Sequence, residues 1–232
     1  MTAKSDNIPL TGPSRKCKPA QAVSDGLLWI TISWASYYLC PALVFIGLLP
    51  FVRLAVGPDH FRLRLALVGI SGAVYFGAVE YWFALYSPAA WVALAVLQGI
   101  TLLPVALTLR WSDRRNIPMA LALPAFWVAG EYLRTLGPFG FPNGALGPVL
   151  FRILPAIQIA DLGGIFIVSF AAAAVSGVLF DLWRDYSAAP RADWRAMSRK
   201  ASAVALLWLV ILGYGYHRLA ESPGAAQPGP AP

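Results

Sequence analysis

The residues of this chain best equipped for chemistry sit where a long apolar run breaks off. The stretch "EYLRTLGPFGFPNGALGP", residues 131–148, places Glu131 and Arg134 three positions apart. That spacing puts both on one face of a helix and lets them pair. Four glycines and three prolines follow within Gly137–Pro148, so regular helix cannot continue, and Phe139, Phe141 and Pro142 stand in the break. Glu80, followed by Tyr81 and Trp82, lies about two turns from the outer end of an earlier apolar run, and Arg152 and Asp161 flank the start of a later one. Ionisable groups at membrane depth are costly and face a partner or a polar cavity. Singly, each of these residues reads as interfacial ion pairing or aromatic anchoring. Together, beside an irregular loop, they read as a polar pocket for a lipid headgroup. The backbone of such a loop would lack partners in lipid, so it lies at the interface or is covered by protein.

Other chemistries find little support. His60 and His217 are the only histidines and lie far apart, so no metal-ligand spacing exists. No phosphate-binding glycine loop and no Ser-His-Asp arrangement occurs, and no cofactor is implied. Cys17, in a basic tail, and Cys40, near a membrane boundary, are not expected to form a disulfide.

The elements that position these residues follow from composition. Of 232 residues, 58% are hydrophobic and 12% charged, against about a quarter charged in soluble domains; mean hydropathy is +0.62. Apolar stretches recur at lengths suited to a hydrocarbon core of ~30 Å. The fold class is all-α, a polytopic transmembrane bundle of six or seven spans. Leu65–Tyr86 and Pro88–Leu109 are expected to form a tight hairpin. Ile117–Leu136 opens with Pro118 in its first turn. Ile153–Leu182 and Ala201–Leu219 complete the later spans. Gly26–Val56 is either one kinked helix or two short ones broken at Cys40-Pro41. Splitting it puts 15 of the 18 Lys and Arg on one side, leaving Arg134, Arg152 and Arg218 on the other. Short cytoplasmic loops concentrate such residues, so seven spans are favoured, with the N-terminus inside and the C-terminus outside. Residues 1–25 then form a cytoplasmic tail, 26–219 the membrane domain and 220–232 a Pro/Ala/Gly-rich tail or linker. No small-residue cleavage site follows the first apolar run, which argues against a signal peptide. The net charge of +7 is explained by anionic lipid and requires no nucleic-acid partner.

The segment "LPAFWVAGEYLRTLGPFGFPNGALG" resembles the membrane-domain signature of bacterial apolipoprotein N-acyltransferase. Pro124, Trp127, Glu131, Arg134, Gly140, Phe141, Pro142 and Gly147 fall on its pattern. "GISGAVYFGAVEYW" and "IQIADLGGIFIVSFAAAAVSGVL" are similar to two further stretches of that family, so the resemblance extends over about residues 27–219. Asn143-Gly144 departs from it, standing where the family has Trp-Leu and removing an aromatic anchor. The resemblance implies a bacterial inner-membrane protein handling phospholipid and a diacylglyceryl lipoprotein in lipoprotein biosynthesis. In the family an acyl chain passes from phospholipid to a thiol and then to the lipoprotein's α-amino group. That chemistry belongs to a nitrilase-like domain with a Glu-Lys-Cys triad, which this sequence does not carry before its "AESPGAAQPGPAP" end. The chain is therefore expected to be a truncated, split or degenerate membrane half, with no catalytic residue of its own. Its catalytic partner would then be on another chain. Arg134 and Arg152 would sit near the phosphate, Glu131 would hold Arg134, and Glu80, Trp82, Phe139, Phe141 and Pro142 would border the entrance. A non-enzymatic lipid-binding or scaffolding protein is the alternative. A small transporter with a discontinuous helix is a more distant one.

Overall fold

The structure, a computed structural model, describes residues 19–137, 140–188 and 194–221. Cys17, Phe139 and the tail beyond Glu221 lie outside the described residues. Among the described residues every regular element is helical. Four helices are long and apolar enough to cross a membrane, and two apolar helices are shorter.

The first apolar region is two helices. α1 (Pro19–Tyr38) stops where Cys40 turns extended, and Pro41 opens a 3-10 turn (Pro41–Leu43) leading into α2 (Val44–Val56). Proline drives the residue before it out of helical conformation, which places the break. The pair is antiparallel, since Gly26 faces Leu54 and Gly47 faces Ser33. Asp25 and Arg53, near the free ends of this hairpin, meet at 3.3 Å, and the Arg53 guanidinium also lies over Trp183.

α3 (Phe61–Val79) and α4 (Pro88–Arg114) form the expected hairpin. The first of them is shorter than expected, because Glu80 ends the helix and Tyr81–Leu85 is a 3-10 turn. Ser87 then caps α4, its Oγ accepting from the Ala90 amide, with Pro88 in the first turn. The two helices touch through glycine: a Cβ on Gly99 would lie 2.6 Å from the Ala73 nitrogen and the Gly69 oxygen. Small residues permit this approach, and in lipid such packing replaces the hydrophobic drive between helices.

α5 (Met119–Leu133) begins after Pro118, which occupies its N-cap rather than its first turn. The later span, expected as one helix from Ile153 to Leu182, is composite. A 3-10 turn (Gly147–Arg152) and the short α6 (Leu154–Ile157) precede α7 (Ala160–Ala188). Non-helical Gly163 and Gly164 interrupt α7, and Gly164 has φ +67°. Asp181 of α7 accepts from the Met119 and Ala120 amides at 3.1 and 3.0 Å, satisfying free donors at the start of α5. α8 (Trp194–Glu221) buries only Ile211 and Gly215 and rides on α6, where Gly215 lies against the Pro155 carbonyl.

Antiparallel contacts join α4 to α5 (Val105 with Gly130), α5 to α7 (Met119 with Gly177) and α7 to α8 (Asp185 with Lys200). The chain therefore runs up and down, and basic residues collect at one end. There Arg64 and Arg110 donate to the Arg53 and Gly57 carbonyls at 3.1 and 2.6 Å, capping α2. Arg184 joins Asp113 and Asp181 at the same end. The opposite end holds the α1–α2 turn, the Tyr81–Leu85 turn and the Gly/Pro loop. Between the ends lies a core of Trp29, Leu48, Phe51, Phe76 and Leu123, with the Trp29 ring 5.1 Å from Phe51 and 5.4 Å from Tyr75.

The glycine contact makes a direct prediction. Gly99→Leu should lower stability in detergent by about 1–3 kcal/mol or more, the usual cost of overpacking. Ile100→Leu, one position on and exposed, should melt like the wild type. Equal melting of both variants would show that α3 and α4 are not locked at Gly99.

Candidate functional site

The site gathers where α3 and α5 end near the Gly/Pro loop and α4 passes beside them. α5 brings Glu131 and, at its C-cap, Arg134; α3 brings Phe76 and the Glu80 that terminates it; α4 brings Gln98. All four polar side chains are buried, with Glu80 fully enclosed and Arg134 only 6% exposed. Buried charge of this kind needs hydrogen bonds or a polar cavity.

Glu131 and Arg134 share a helix end, but the structure does not pair them: among the described residues no ion pair within 4 Å joins them. The carboxylate turns toward the loop instead. Its Oε1 accepts from the Trp127 indole, one turn earlier, and from the Leu146 amide, both at 2.8 Å. Oε2 has no hydrogen-bond partner among the described residues. Arg134 swings the other way, onto the face of Phe76 at 4.7 Å, a cation–π contact. Among the described residues its one side-chain hydrogen bond is long, 3.5 Å from Nη1 to Gln98 Oε1. Gln98 in turn donates Nε2 to Glu80 Oε1 at 2.8 Å. The result is a line of groups, Glu80–Gln98–Arg134–Phe76, with Glu131 anchored beside it.

Among the described residues the loop is covered by protein from Gly144 to Gly147, while Gly137 and Pro142 are exposed. The Phe141 amide donates back to the Arg134 carbonyl at 2.8 Å, folding the loop onto the end of α5. Gly144 has φ +71° and lies so close to the Phe76 ring that a Cβ would stand 2.7 Å from it. Asn143-Gly144, the departure from the family pattern, is thus a turn that only glycine fits. The chain then dives inward. Ala145 through Gly147, Val149 and Leu150 are buried, and the Gly147 amide donates to Ser169 of α7 at 2.8 Å.

Two adjacent hollows flank the line of polar groups. A pocket of about 210 Å³ is lined by Gln98, Thr101, Leu133, Arg134 and Leu136. It shares Leu97 and Phe141 with an apolar groove of about 590 Å³ along Ala90, Ala93 and Leu94, bordered by Phe83. The sequence-predicted residues fall unevenly around them. Phe141 lines both hollows, and Phe83 reaches it at 6.2 Å. Trp82 belongs to an exposed aromatic rim with Phe83 and Tyr86, and Pro142 is exposed beside it. Arg152 is not brought in; it is exposed and lies over its own neighbour Phe151 at 5.4 Å. Asp161 is also elsewhere, bound to Tyr214 and Arg218 of α8. Sequence reasoning missed Gln98 and Phe76. Gln98 left a signal, as an amide within the apolar run Pro88–Leu109. Phe76 left none. Among the described residues no group of three His, Cys, Asp or Glu could hold a metal, and Cys40 is a free, exposed thiol.

Comparison with known proteins matches residues 26–178 to the family described as Apolipoprotein N-acyltransferase N-terminal domain. The Apolipoprotein N-acyltransferase of Geobacter metallireducens is 32% identical over 216 residues, covering 88% of this chain and 40% of that protein. Apolipoprotein N-acyltransferase 1 of Treponema pallidum is 37% identical over 86 residues, covering 34% of this chain and 15% of that protein. The Rhodopirellula baltica Apolipoprotein N-acyltransferase is 28% identical over 162 residues, 60% of this chain and 27% of that protein. The chain spans less than half the length of these relatives.

The two hydrogen bonds to Glu131 predict how its variants behave. Glu131→Gln keeps an oxygen that can accept both, so the protein should melt near the wild-type temperature. Glu131→Ala leaves two buried donors unsatisfied and should cost about 2–5 kcal/mol. Hydrogen exchange should rise at Leu146 in the alanine variant only. Similar exchange at Leu146 in both variants would remove the pin.

Proposed function

Because the chain belongs to the apolipoprotein N-acyltransferase family, we propose that it is the part of that machinery which binds a phospholipid and presents its acyl chain. The phosphate sits at Arg134 and a tail lies in the groove along Ala90, Ala93 and Leu94. One observation carries this reading: a buried arginine, with one long side-chain hydrogen bond among the described residues, lines a pocket that adjoins an apolar groove. An arginine so weakly held retains strong donors for an oxyanion, and arginine–phosphate contacts are charge-assisted and frequently bidentate.

Magnitudes decide which part of the site selects. Moving a lipid tail from the bilayer into an apolar groove gains little hydrophobic energy, because both surroundings are equally oily. The groove therefore sets where the tail lies, and the guanidinium sets whether the lipid stays. Leu97 and Phe141, which border both hollows, stand between the two, and Phe83 packs against Phe141. Glu131 holds the loop that carries Phe141, so its part is to keep that shared wall in place. The group-transfer step is assigned to a nitrilase-like domain, whichever polypeptide bears it, and this chain docks it at the end opposite the basic one. The lipoprotein substrate approaches from that same side.

The reading places the protein in the bacterial inner membrane with seven crossings and its basic end in the cytoplasm. The gathering of Arg53, Arg64, Arg110 and Arg184 at one end supports that orientation. A reporter active only after export, fused after Pro232, should be active. Activity there of a reporter that works only in the cytoplasm would reverse the orientation and end the docking proposal.

For the lipid site, Arg134→Ala should retain about tenfold less phospholipid through purification, as native mass spectrometry reads it; loss of a charged hydrogen bond is of this size. Glu131→Gln should retain more than Arg134→Ala. Unchanged retention in Arg134→Ala would leave a non-enzymatic helix anchor as the better account of this residue.

A further inference from the structure

Two buried carboxylates lie near Arg134, and neither closes on it. Glu131 commits Oε1 to Trp127 and Leu146. Glu80 commits Oε1 to Gln98, at 2.8 Å, and the Gln98 amide stands between Glu80 and the guanidinium. The direction of that amide is forced. A guanidinium only donates, so Gln98 turns its oxygen to Arg134 and its NH₂ to Glu80.

We propose that Gln98 is a positioning residue that keeps Glu80 from pairing with Arg134, and so keeps the guanidinium available to the phosphate of a phospholipid. The proposal rests on the reading of Arg134 as the phosphate contact. Its physical content is a competition. A carboxylate in direct contact would satisfy the arginine internally, and a phosphate would have to displace it from a site almost closed to water. An amide oxygen at 3.5 Å and the face of Phe76 at 4.7 Å hold the guanidinium in place with weaker interactions, which a phosphate outcompetes. Glu80 remains useful on the far side of the amide, because its acceptance of the NH₂ fixes which end of Gln98 faces Arg134. Gly99, next in sequence, is pinned against α3 by the glycine contact, so the backbone carrying Gln98 has little freedom to withdraw.

The exchange Glu80→Gln with Gln98→Glu tests this. It conserves net charge and the number of polar groups, and changes only which group faces Arg134. Each delipidated protein is incubated with dioleoyl phosphatidylglycerol in detergent, and retained lipid is read by native mass spectrometry beside melting of the same sample. The exchanged protein should melt no lower than the wild type and retain about tenfold less lipid. Wild-type retention at unchanged stability would overturn the proposal. Glu80→Gln alone removes the competing carboxylate but leaves Gln98 in place, and should retain at least as much lipid as the wild type. A tenfold loss in that single variant would also overturn it, whether or not the exchanged protein folds. Arg134→Ala separates the two levels. If it loses lipid while the exchanged protein does not, only the role of Gln98 fails; if it retains lipid, the phosphate reading fails with it. Inorganic phosphate without lipid should raise the melting temperature of neither protein, and stabilisation of the wild type by it would overturn a lipid as the source of the anion.

Discussion

Within a bilayer, backbone that leaves a helix must find hydrogen bonds inside the protein, and in this molecule one carboxylate oxygen supplies the decisive ones. Oε1 of Glu131 receives the amide of Leu146, fifteen positions on, and the indole of Trp127, one turn back. The first contact turns the loop inward. The second fixes the carboxylate itself, since its χ angles are set from both sides. Everything around the pocket depends on this geometry: Phe141 borders the hollows, Gly144 presses on Phe76, and Phe76 supports Arg134. The glutamate therefore acts on the arginine through the loop and an aromatic ring, not through a salt bridge.

A second constraint comes from α3 and α4. Contact at Gly72 and Gly99 brings the backbones together midway, where Gln98 needs a fixed position. Toward the loop end small residues such as Ala90 and Ala93 leave space beside α4, and the apolar groove occupies it. Tight packing and the hollow are thus two outcomes of the same residue class at successive turns. α8 is built differently, with few buried residues and ties to the rest through Pro155, Phe45, Asp185 and the Asp161 cluster. Its exposed ion pairs contribute little each, so α8 is the span most easily parted from the bundle.

Much of the architecture was legible because it follows from local rules. Proline at 41 located a break that composition alone left open, and the clustering of basic residues matched the end where α2 is capped. The Gly/Pro loop was recognisable as a covered or interfacial segment for the same reason. Boundaries are less so: apolar character continues to Tyr86 although Glu80 ends α3, and Gly163-Gly164 interrupts α7 inside an unbroken apolar run. The site itself divided by range. Glu131, Arg134 and Phe141 stood out by type and neighbourhood. Their partners did not, since Leu146, Gln98 and Phe76 reach them only through tertiary packing. Spacing suggested a Glu131–Arg134 pair, and a nearer acceptor need on one side and an aromatic face on the other drew the two apart.

The turn at Asn143-Gly144 has an implication for how this surface changes in evolution. Gly144 adopts a left-handed backbone directly against Phe76, and Phe76 is also the surface on which Arg134 rests. Positions 76 and 144 are therefore not independent. A homologue with a bulky side chain at the position of Gly144 needs a smaller ring, or a different loop path, at the position of Phe76. The arginine then loses its shelf unless another residue provides one. Substitution along this loop should thus proceed in linked steps, with the two positions co-varying across the family more tightly than their separation of 68 residues would suggest.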